Sequence, residues 1–381
     1  MIFSFSFASF QIPKVPEDIA PNGSSVKPVK CSFHPLFLVL LLIVFMATLT
    51  SRVWFQLQHH TPELLIKYAT IDAVEEQWNQ EIKQLLDANL GSQARVPVTL
   101  RSPLFERYLP QFQKVLNDWS LKKKQSFQPD IISELTRLVK HPIDKHNGFV
   151  ASDNKYSSCA VVGNSGILLN TNYGKLIDAQ EFVIRLNHAR VNGFENKVGS
   201  KTNISFVNSN VLHACARMVG SGCSCHTYGA DVATVMYICQ PAHLMDYTVC
   251  NSFLKGPLLV TDPQFDMVCA RIVKYYSLKR FAEETGKGLE EWGPAHDEAF
   301  FHYSSGFQAM MLALGICEKV SMFGFGKSGS AKHHYHTNQK VELHLHDYEA
   351  EYAFYRDLVD GNKPIPFLSD KLKIPPVFMY R

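Results

Sequence analysis

From about residue 150 onward the chain alternates between short apolar runs and longer helical stretches, and this alternation restricts its fold more than any other feature. The short runs are rich in β-branched residues and are bounded by Gly and Asn: 159–162, 182–186, 204–207, 233–238, 258–260 and 319–325. The intervening helical stretches include 263–285 and 304–317. Strands that are apolar on both faces and joined by helices predict an α/β fold, with a mostly parallel twisted sheet flanked by helices.

The composition is that of a folded domain and argues against a nucleic-acid binder. Hydrophobic residues make up 46% of the 381 residues, which is enough for a sizeable core. Thirty-eight Lys and Arg against 35 Asp and Glu leave a net charge of +3, spread without basic blocks. We therefore expect no nucleic-acid partner.

An apolar segment near the N-terminus, PLFLVLLLIVFMATLT, contains no charged side chain. We predict a transmembrane signal-anchor at residues 35–51, with a buried core helix and a cleaved signal peptide as the alternatives. Two lysines precede the segment and a single arginine follows it closely. The positive-inside rule therefore predicts a cytoplasmic tail at residues 1–34 and a lumenal body.

Between this segment and the α/β region, residues 52–148 are predicted to form a helical stem. Apolar residues at helical spacing predict one helix within 62–90 and a second from 103 to 119. A third helix is expected over 130–140, ended by Pro142. The α/β domain then occupies residues 149–381.

Eight of the nine cysteines lie between residues 159 and 317. An oxidising lumen could pair this even set as disulfides, although spacing alone cannot give the connectivity. Cys223 and Cys225 could bind zinc, but without a second matching pair a disulfide is the stronger interpretation. Asn203-Ile204-Ser205 is an acceptor pattern for N-glycosylation, which predicts a glycan on Asn203.

The first run leads into a turn with the sequence Gly163-Asn164-Ser165-Gly166. Glycines let the backbone approach a ligand, and amides in such a turn can face an anion. In an α/β sheet this turn lies at the carboxyl end of a strand, where nucleotides usually bind. An ordinary strand-to-loop turn explains the same residues equally well, and no dinucleotide fingerprint or Walker-type phosphate loop occurs.

A second group, Ser304-Ser305-Gly306, begins a predicted apolar helix. Serines cap helices well, and the free amides at a positive helix end can bind an anion. Capping alone is a sufficient explanation for this group when it is taken in isolation.

A third group is rich in histidine and includes His334 and His346. Five of the 16 histidines fall within 14 residues. Metal binding is one interpretation, but the spacings match no standard zinc pattern. Proton transfer is the other, because imidazole titrates near neutrality.

These groups, in this order, resemble the motifs of the sialyltransferases of glycosyltransferase family 29. Residues 159–207 resemble the large sialyl motif and residues 304–326 the small motif. His334-Tyr335 resembles the first half of motif III, and residues 346–351 satisfy the H-x-x-x-x-E pattern of the very small motif. The large motif and the cysteine-rich insert at residues 215–269 are most similar to the plant sialyltransferase-like branch. The resemblance implies a GT-A-like fold in a Golgi type II membrane protein.

The resemblance also implies a role for each matched position. Two asparagines and a helix start would bind a CMP-sugar donor: Asn164, Asn187, Ser304, Ser305 and Gly306. His334 would donate a hydrogen bond to the leaving phosphate, and His346 would take the proton of the acceptor hydroxyl. Cys159 and Cys317 would form the disulfide that joins the large and small motifs. Glu351 is interpreted as structural. Five residues along a helix correspond to about 140° of rotation, so the spacing does not place Glu351 beside His346.

The implied reaction transfers sialic acid, or a related acidic keto sugar such as Kdo, to a galactose-type acceptor glycan. Imidazoles and helix amides can stabilise the departing phosphate, and the sequence contains no D-x-D motif. We therefore expect neither a metal nor another cofactor. Direct attack by one base-activated hydroxyl predicts inversion at the anomeric carbon.

Several positions depart from the family pattern: Tyr303 in the small motif, His336 and Thr337 in motif III, and Ile167 in the large motif. Because of these departures, galactosyl transfer to cell-wall or arabinogalactan glycans is an alternative activity. Two further alternatives are a catalytically silent partner of other glycosyltransferases and a histidine-rich metallohydrolase. No carboxylate–histidine ligand set is recognisable for the latter.

Overall fold

The structure is a computed structural model of the chain, which divides into two compact units, Met1–His59 and His60–Arg381. It describes these residues: 39–53, 65, 73–87, 103–218, 223, 227–297, 301–329, 331–339 and 345–381. In the first unit, residues 39–53 form an exposed helix. Among the described residues, no helix combines the length and the apolar character that crossing a membrane requires. The predicted tail and residues 35–38 of the predicted span lie outside the described residues.

The second unit is built on a seven-stranded sheet in which every neighbouring pair is parallel. In chain order the strands are β1 (Cys159–Val162), β2 (Phe182–Leu186), β3 (Ile204–Asn208), β4 (Ala233–Tyr237), β5 (Leu258–Val260), β6 (Val320–Phe323) and β7 (Val377–Tyr380). Their order across the sheet is β5-β4-β3-β2-β1-β6-β7. The predicted α/β fold with a parallel sheet is confirmed, and β7 is a strand that the prediction missed. The order reverses between β1 and β6, and ligands of open α/β sheets bind where such a reversal opens a crevice.

Helices connect and cover the strands. The α-helices of this unit are α1 (Ala73–Asp87), α2 (Pro103–Lys123), α3 (Ile131–Leu135), α4 (His141–His146), α5 (Gly174–Asp178), α6 (Glu195–Val198), α7 (Ser209–Met218), α8 (Leu244–Cys250), α9 (Pro263–Thr285), α10 (Trp292–His296), α11 (Ser305–Ile316) and α12 (Tyr348–Asp360). Short 3-10 turns lie at Gly166–Asn170, Pro241–His243 and Leu289–Glu291, and a π-helical turn lies at Thr136–Lys140.

Successive strand residues point to opposite faces of the sheet, and each face has its own hydrophobic core. Cys159 and Val161 of β1 belong to a large core that also contains α9, α11 and α12. Ala160 and Val162 belong to a smaller core on the other face. Every residue of α11 is buried, which explains why its sequence is almost wholly apolar.

A disulfide joins Cys159 to Cys317, with 6.1 Å between the Cα atoms. This pairing, implied by the family resemblance, ties the start of β1 to the residue that follows α11. A second disulfide joins Cys223 to Cys250. Cys239 and Cys269 are free, so the set of eight cysteines does not pair completely.

The predicted stem segment contains helices that pack against the α/β unit. Trp78 of α1 is buried, and its indole N–H donates a hydrogen bond to the Cys239 carbonyl oxygen at 3.2 Å. Its ring meets that of Trp119 in α2 edge-on, with 5.6 Å between the ring centroids. Both tryptophans share a core with β4 and α8. At least this part of residues 52–148 is therefore integrated into the compact unit.

The prediction that Pro142 ends the third helix was wrong. The helical path continues through the π turn at Thr136–Lys140 into α4, which ends at His146. Pro142 occupies the first turn of α4, where a missing backbone N–H costs little. A new helix therefore begins after the π turn, with Pro142 in its first turn, where proline is tolerated.

Candidate active site

A cavity of about 400 Å³ lies where β1, β2, β3 and β6 end, with α11 and α12 forming part of its wall. It brings together all the residues that were predicted to act on donor and acceptor: Asn164, Asn187, Ser304, Ser305, Gly306, His334 and His346. These residues come from segments up to 182 positions apart, from Asn164 to His346. The site is therefore a product of the sheet topology rather than of any single motif.

Close backbone contact between two strand ends forms the floor of the cavity. A Cβ atom on Gly163 would lie 2.6 Å from the Gly324 carbonyl oxygen, so only glycine lets the turns after β1 and β6 meet. Asn164 follows and lines the cavity, and its side-chain Oδ1 is buried without a hydrogen-bond partner. Buried polar atoms normally have partners, so this amide is suited to a polar group of a ligand.

The Ser305 hydroxyl is the centre of a hydrogen-bond network that joins three strand ends to α11. Asn187 Nδ2 donates to Ser305 Oγ at 2.9 Å, and Asn208 Nδ2 donates to it at 3.3 Å. The Tyr237 hydroxyl lies 3.2 Å from the same oxygen. Asn187 has a φ of 47°, a left-handed conformation that asparagine tolerates better than most residues. The side chains of Asn187 and Ser305 thus bond to each other and fix the cavity wall. An anion would instead be bound by backbone amides at the start of α11.

Glu351 connects the very small motif to the start of α11. Its carboxylate accepts hydrogen bonds from the Ser304 N–H and the Ser304 hydroxyl, both at 2.6 Å. Ser304 Oγ in turn caps the helix by accepting from the Phe307 N–H at 3.1 Å. Burial raises the pKa of Glu351 to about 7. This arrangement agrees with the structural interpretation of Glu351. The helical rotation between His346 and Glu351 is not the reason, because His346 precedes α12.

His346 lines the cavity, and a backbone hydrogen bond determines which of its ring nitrogens carries the proton. Its Nδ1 lies 2.7 Å from the His302 carbonyl oxygen, which can only accept, so Nδ1 carries the proton. The neutral ring then keeps a lone pair on Nε2. Burial lowers the pKa of His346 below its usual 6.5, which favours the neutral form at pH 7. The His302 N–H donates to the Leu345 carbonyl oxygen at 3.1 Å, which fixes the segment that carries His346.

His334 lies on a loop that is fastened to the turn after β1. The Tyr335 N–H donates to the Asn164 carbonyl oxygen at 2.8 Å, and the Gly166 N–H donates to the Lys332 carbonyl oxygen at 3.0 Å. The His334 ring stacks on that of His336, with 5.6 Å between the centroids. Burial, followed by the neighbouring histidines His333 and His336, lowers the pKa of His334 to about 4. A neutral imidazole can still donate one hydrogen bond to a phosphate.

The cavity lining is suited to an anionic ligand. Lys327 and Lys332 line it, and Glu351 is the acidic residue among the lining side chains. Over the described part of the chain, one cluster offers three ligand atoms that could hold a metal: His213, His243 and Asp246. None of these three residues lines this cavity.

The departures from the family pattern lie at different distances from the cavity. His336 lines it, whereas Ile167 lines an adjoining cavity and Thr337 lines neither. Tyr303 is fully buried behind the site, its ring 5.6 Å from that of Tyr237. Of these substitutions, the change to His336 therefore bears most directly on the ligand.

Asn208 and Asn203 show what the sequence interpretation missed or left untested. Asn208 ends β3 and lines the cavity, and the rule that polar residues at strand ends meet ligands would have found it. Asn203, the predicted glycosylation site, is half-buried, and its Oδ1 accepts from the Val183 N–H at 2.9 Å. Glycosylation of Asn203 stays a prediction.

Comparison with known proteins agrees with the motifs. Residues 107–363 match the family described as glycosyltransferase family 29 (sialyltransferase). The chain is 48% identical to Beta-1,6-galactosyltransferase GALT29A of Arabidopsis thaliana, over 92% of this chain and 100% of that protein. It is 45% identical to Sialyltransferase-like protein 3 of Oryza sativa subsp. japonica, over 84% of this chain and 85% of the other.

Among solved structures, the crystal structure of a mammalian sialyltransferase matches with 21% identity and a TM-score of 0.38. The match covers 80% of this chain and 93% of that one. The family match extends over most of the α/β unit and includes every residue of the candidate site. The chain is thus a glycosyltransferase and belongs to glycosyltransferase family 29.

Proposed function

We propose that the enzyme transfers galactose from a nucleotide sugar to a hydroxyl of a galactose-containing glycan, with inversion and without a metal. The observation that carries the proposal is the convergence of a fixed imidazole acceptor, an unpartnered amide and a helix start in one cavity. The choice of galactose is supported by similarity to a β-1,6-galactosyltransferase over that protein's whole length.

His346 acts as the general base in this proposal. Its Nε2 lone pair accepts the proton of the acceptor hydroxyl while the oxygen attacks the anomeric carbon. The His302 carbonyl oxygen, 2.7 Å from Nδ1, stabilises the imidazolium that forms. The pKa below 6.5 keeps the resting ring deprotonated at neutral pH.

The departing nucleotide phosphate is stabilised by the opposite side of the cavity. His334 donates a hydrogen bond, and the amides that begin α11 contribute the positive end of a helix. Lys327 and Lys332 add positive charge to the lining. These donors provide the charge compensation that a bound cation supplies in many transferases.

A CMP-linked acidic keto sugar, sialic acid or Kdo, is the second candidate donor. It is supported by the ordered motifs of a family described as sialyltransferase. It also agrees with a helix start and two lysines, which could bind the carboxylate of such a sugar. The two candidates differ in nucleotide and sugar but assign the same roles to His334 and His346.

A donor screen with the purified full-length protein separates these candidates. UDP-galactose, CMP-sialic acid and CMP-Kdo are each incubated with a β-galactan oligosaccharide, and the product is characterised by mass spectrometry and NMR. We expect transfer from UDP-galactose that EDTA does not reduce. Transfer from a CMP-sugar alone would establish the second candidate, and a strict manganese requirement would overturn the metal-free mechanism. Failure of every donor to bind or turn over would indicate a silent partner protein.

We also propose that residues 35–51 anchor the chain in the Golgi membrane with residues 149–381 in the lumen. The uncharged segment and the flanking charges support this orientation. The disulfides Cys159–Cys317 and Cys223–Cys250 are typical of an oxidising compartment. In sealed Golgi vesicles, a C-terminal tag should resist protease until detergent is added. Digestion without detergent would reverse the orientation.

A further inference from the structure

A second cavity, also of about 400 Å³, adjoins the candidate active site. The two share part of their lining, because Gly326, Lys327 and Tyr352 contribute to both. The second cavity contains none of the asparagines, serines or histidines of the proposed reaction. Its size is within the range of sites for small molecules.

The lining of this cavity combines positive charge with groups that suit a sugar. Three cationic side chains contribute, Lys327, Arg356 and Arg381, against one acidic side chain, Glu349. The side chains of Asn170 and Thr171 add a polar amide and a hydroxyl. Arginine is well matched to a carboxylate, because its planar guanidinium can form two parallel hydrogen bonds with the two oxygens.

Ordered elements carry these groups. Arg356 lies one helical turn after Tyr352 on α12, so both side chains are on the same face of the helix. Arg381 follows β7, and its carbonyl oxygen accepts a hydrogen bond from the Tyr173 hydroxyl at 2.8 Å. The Tyr173 ring packs in turn against Tyr380, with 5.7 Å between the centroids.

We propose that this second cavity binds a uronic acid residue of the acceptor glycan, with Arg356 and Arg381 recognising its carboxylate. The inference rests on the proposed glycosyltransferase function, whose donor occupies the neighbouring cavity. The shared wall lets one oligosaccharide enter both cavities, so that a hydroxyl reaches His346 while an acidic residue lies against α12. The enzyme would then select acidic branches of a glycan over neutral ones.

The test compares two acceptors that differ in one group. One is a galactan oligosaccharide that carries a glucuronic acid, and the other is the same oligosaccharide with that carboxyl reduced to an alcohol. We expect the full-length enzyme to show a kcat/KM about fivefold higher for the acidic acceptor, as for a solvent-accessible ion pair. The preference should decrease as salt is added. Equal values for the two acceptors would overturn the inference.

Arg356→Gln should reduce the preference, by lowering kcat/KM for the acidic acceptor more than for the neutral one. Arg137→Gln is the matched control, because Arg137 is an exposed arginine on the π turn, outside both cavities. If Arg356→Gln instead raises the KM of the donor, the arginine serves a donor phosphate and the inference is wrong.

A binding measurement without donor gives a readout that does not depend on turnover. Methyl β-glucuronide should show ligand-observed NMR contacts that Arg356→Gln removes, whereas methyl β-glucoside should show weaker ones. Transfer to the neutral acceptor tests the proposed function separately. If neutral transfer occurs but the carboxylate has no effect on rate or binding, only the second-cavity inference fails.

Discussion

His346 and His334 line the same cavity but are held in different ways. His346 has one nitrogen committed to a backbone carbonyl oxygen, which determines where its proton lies. His334 is positioned through the backbone of its loop and through stacking on His336. In the proposed roles, His346 is prepared to accept a proton, whereas the protonation of His334 can respond to the charge of the donor phosphate.

The largest effect should come from His346→Ala. Removing a general base typically costs about 10²–10⁴-fold in rate, so kcat should fall by that factor. Donor affinity should change little, because the base is proposed to contact the acceptor. Isothermal titration with the donor nucleotide and single-turnover kinetics would measure the two quantities.

His146→Ala provides a control for this variant, since His146 is an exposed histidine on α4. The control should keep the rate of the original enzyme. A His346→Ala protein that loses donor binding in proportion to rate would contradict the separation of roles between the two histidines.

His334→Ala should have an intermediate effect on rate and, unlike His346→Ala, should also weaken donor binding. We expect kcat to fall by about 10–100-fold and the affinity for the donor nucleotide to weaken, since a hydrogen bond to a charged group contributes about 1.5–3 kcal/mol. The same titration and kinetic measurements apply. If His334→Ala leaves nucleotide affinity intact, its ring does not contact the phosphate.

Glu351→Gln should have the smallest kinetic effect and a clear structural one. A glutamine presents one acceptor and one donor group where two Ser304 donors converge. The mismatch should cost about 1–3 kcal/mol of the free energy of unfolding. Thermal unfolding should therefore begin at a lower temperature, and donor binding should weaken through the displaced start of α11.

The exposed Glu283→Gln on α9 serves as the control and should unfold like the original protein. Unchanged unfolding of Glu351→Gln would show that the carboxylate does not hold the helix start. A total loss of turnover with normal stability would instead point to a direct chemical role for Glu351.

Much of the fold follows from local patterns. Strands β1 to β6 were predictable because each is a short apolar run within a doubly covered sheet. Strand β7 follows two prolines, and Phe378 within it is exposed, so the run lacks that signature. The path past Pro142 depends on a π turn, which has no recognisable sequence pattern.

Residues of the candidate site that lie within sequence motifs were predictable, whereas contacts between residues far apart in the chain were less so. Asn164, Ser305 and His346 were identified, whereas the bonds from Glu351 to Ser304 depend on the packing of α12 against α11. The second cavity is assembled from four segments that are distant in the chain. No local sequence window contains enough of them to reveal it.

The pH dependence of the single-turnover rate tests the central claim most directly. Because burial lowers the pKa of His346, the midpoint of its protonation should lie below pH 6.5. The rate should then decline as the ring becomes protonated, with one ionisation that is absent from the residual rate of His346→Ala. A midpoint above pH 6.5 for the ionisation that His346→Ala removes, or a profile that keeps every ionisation in His346→Ala, would contradict the assignment of His346 as the base.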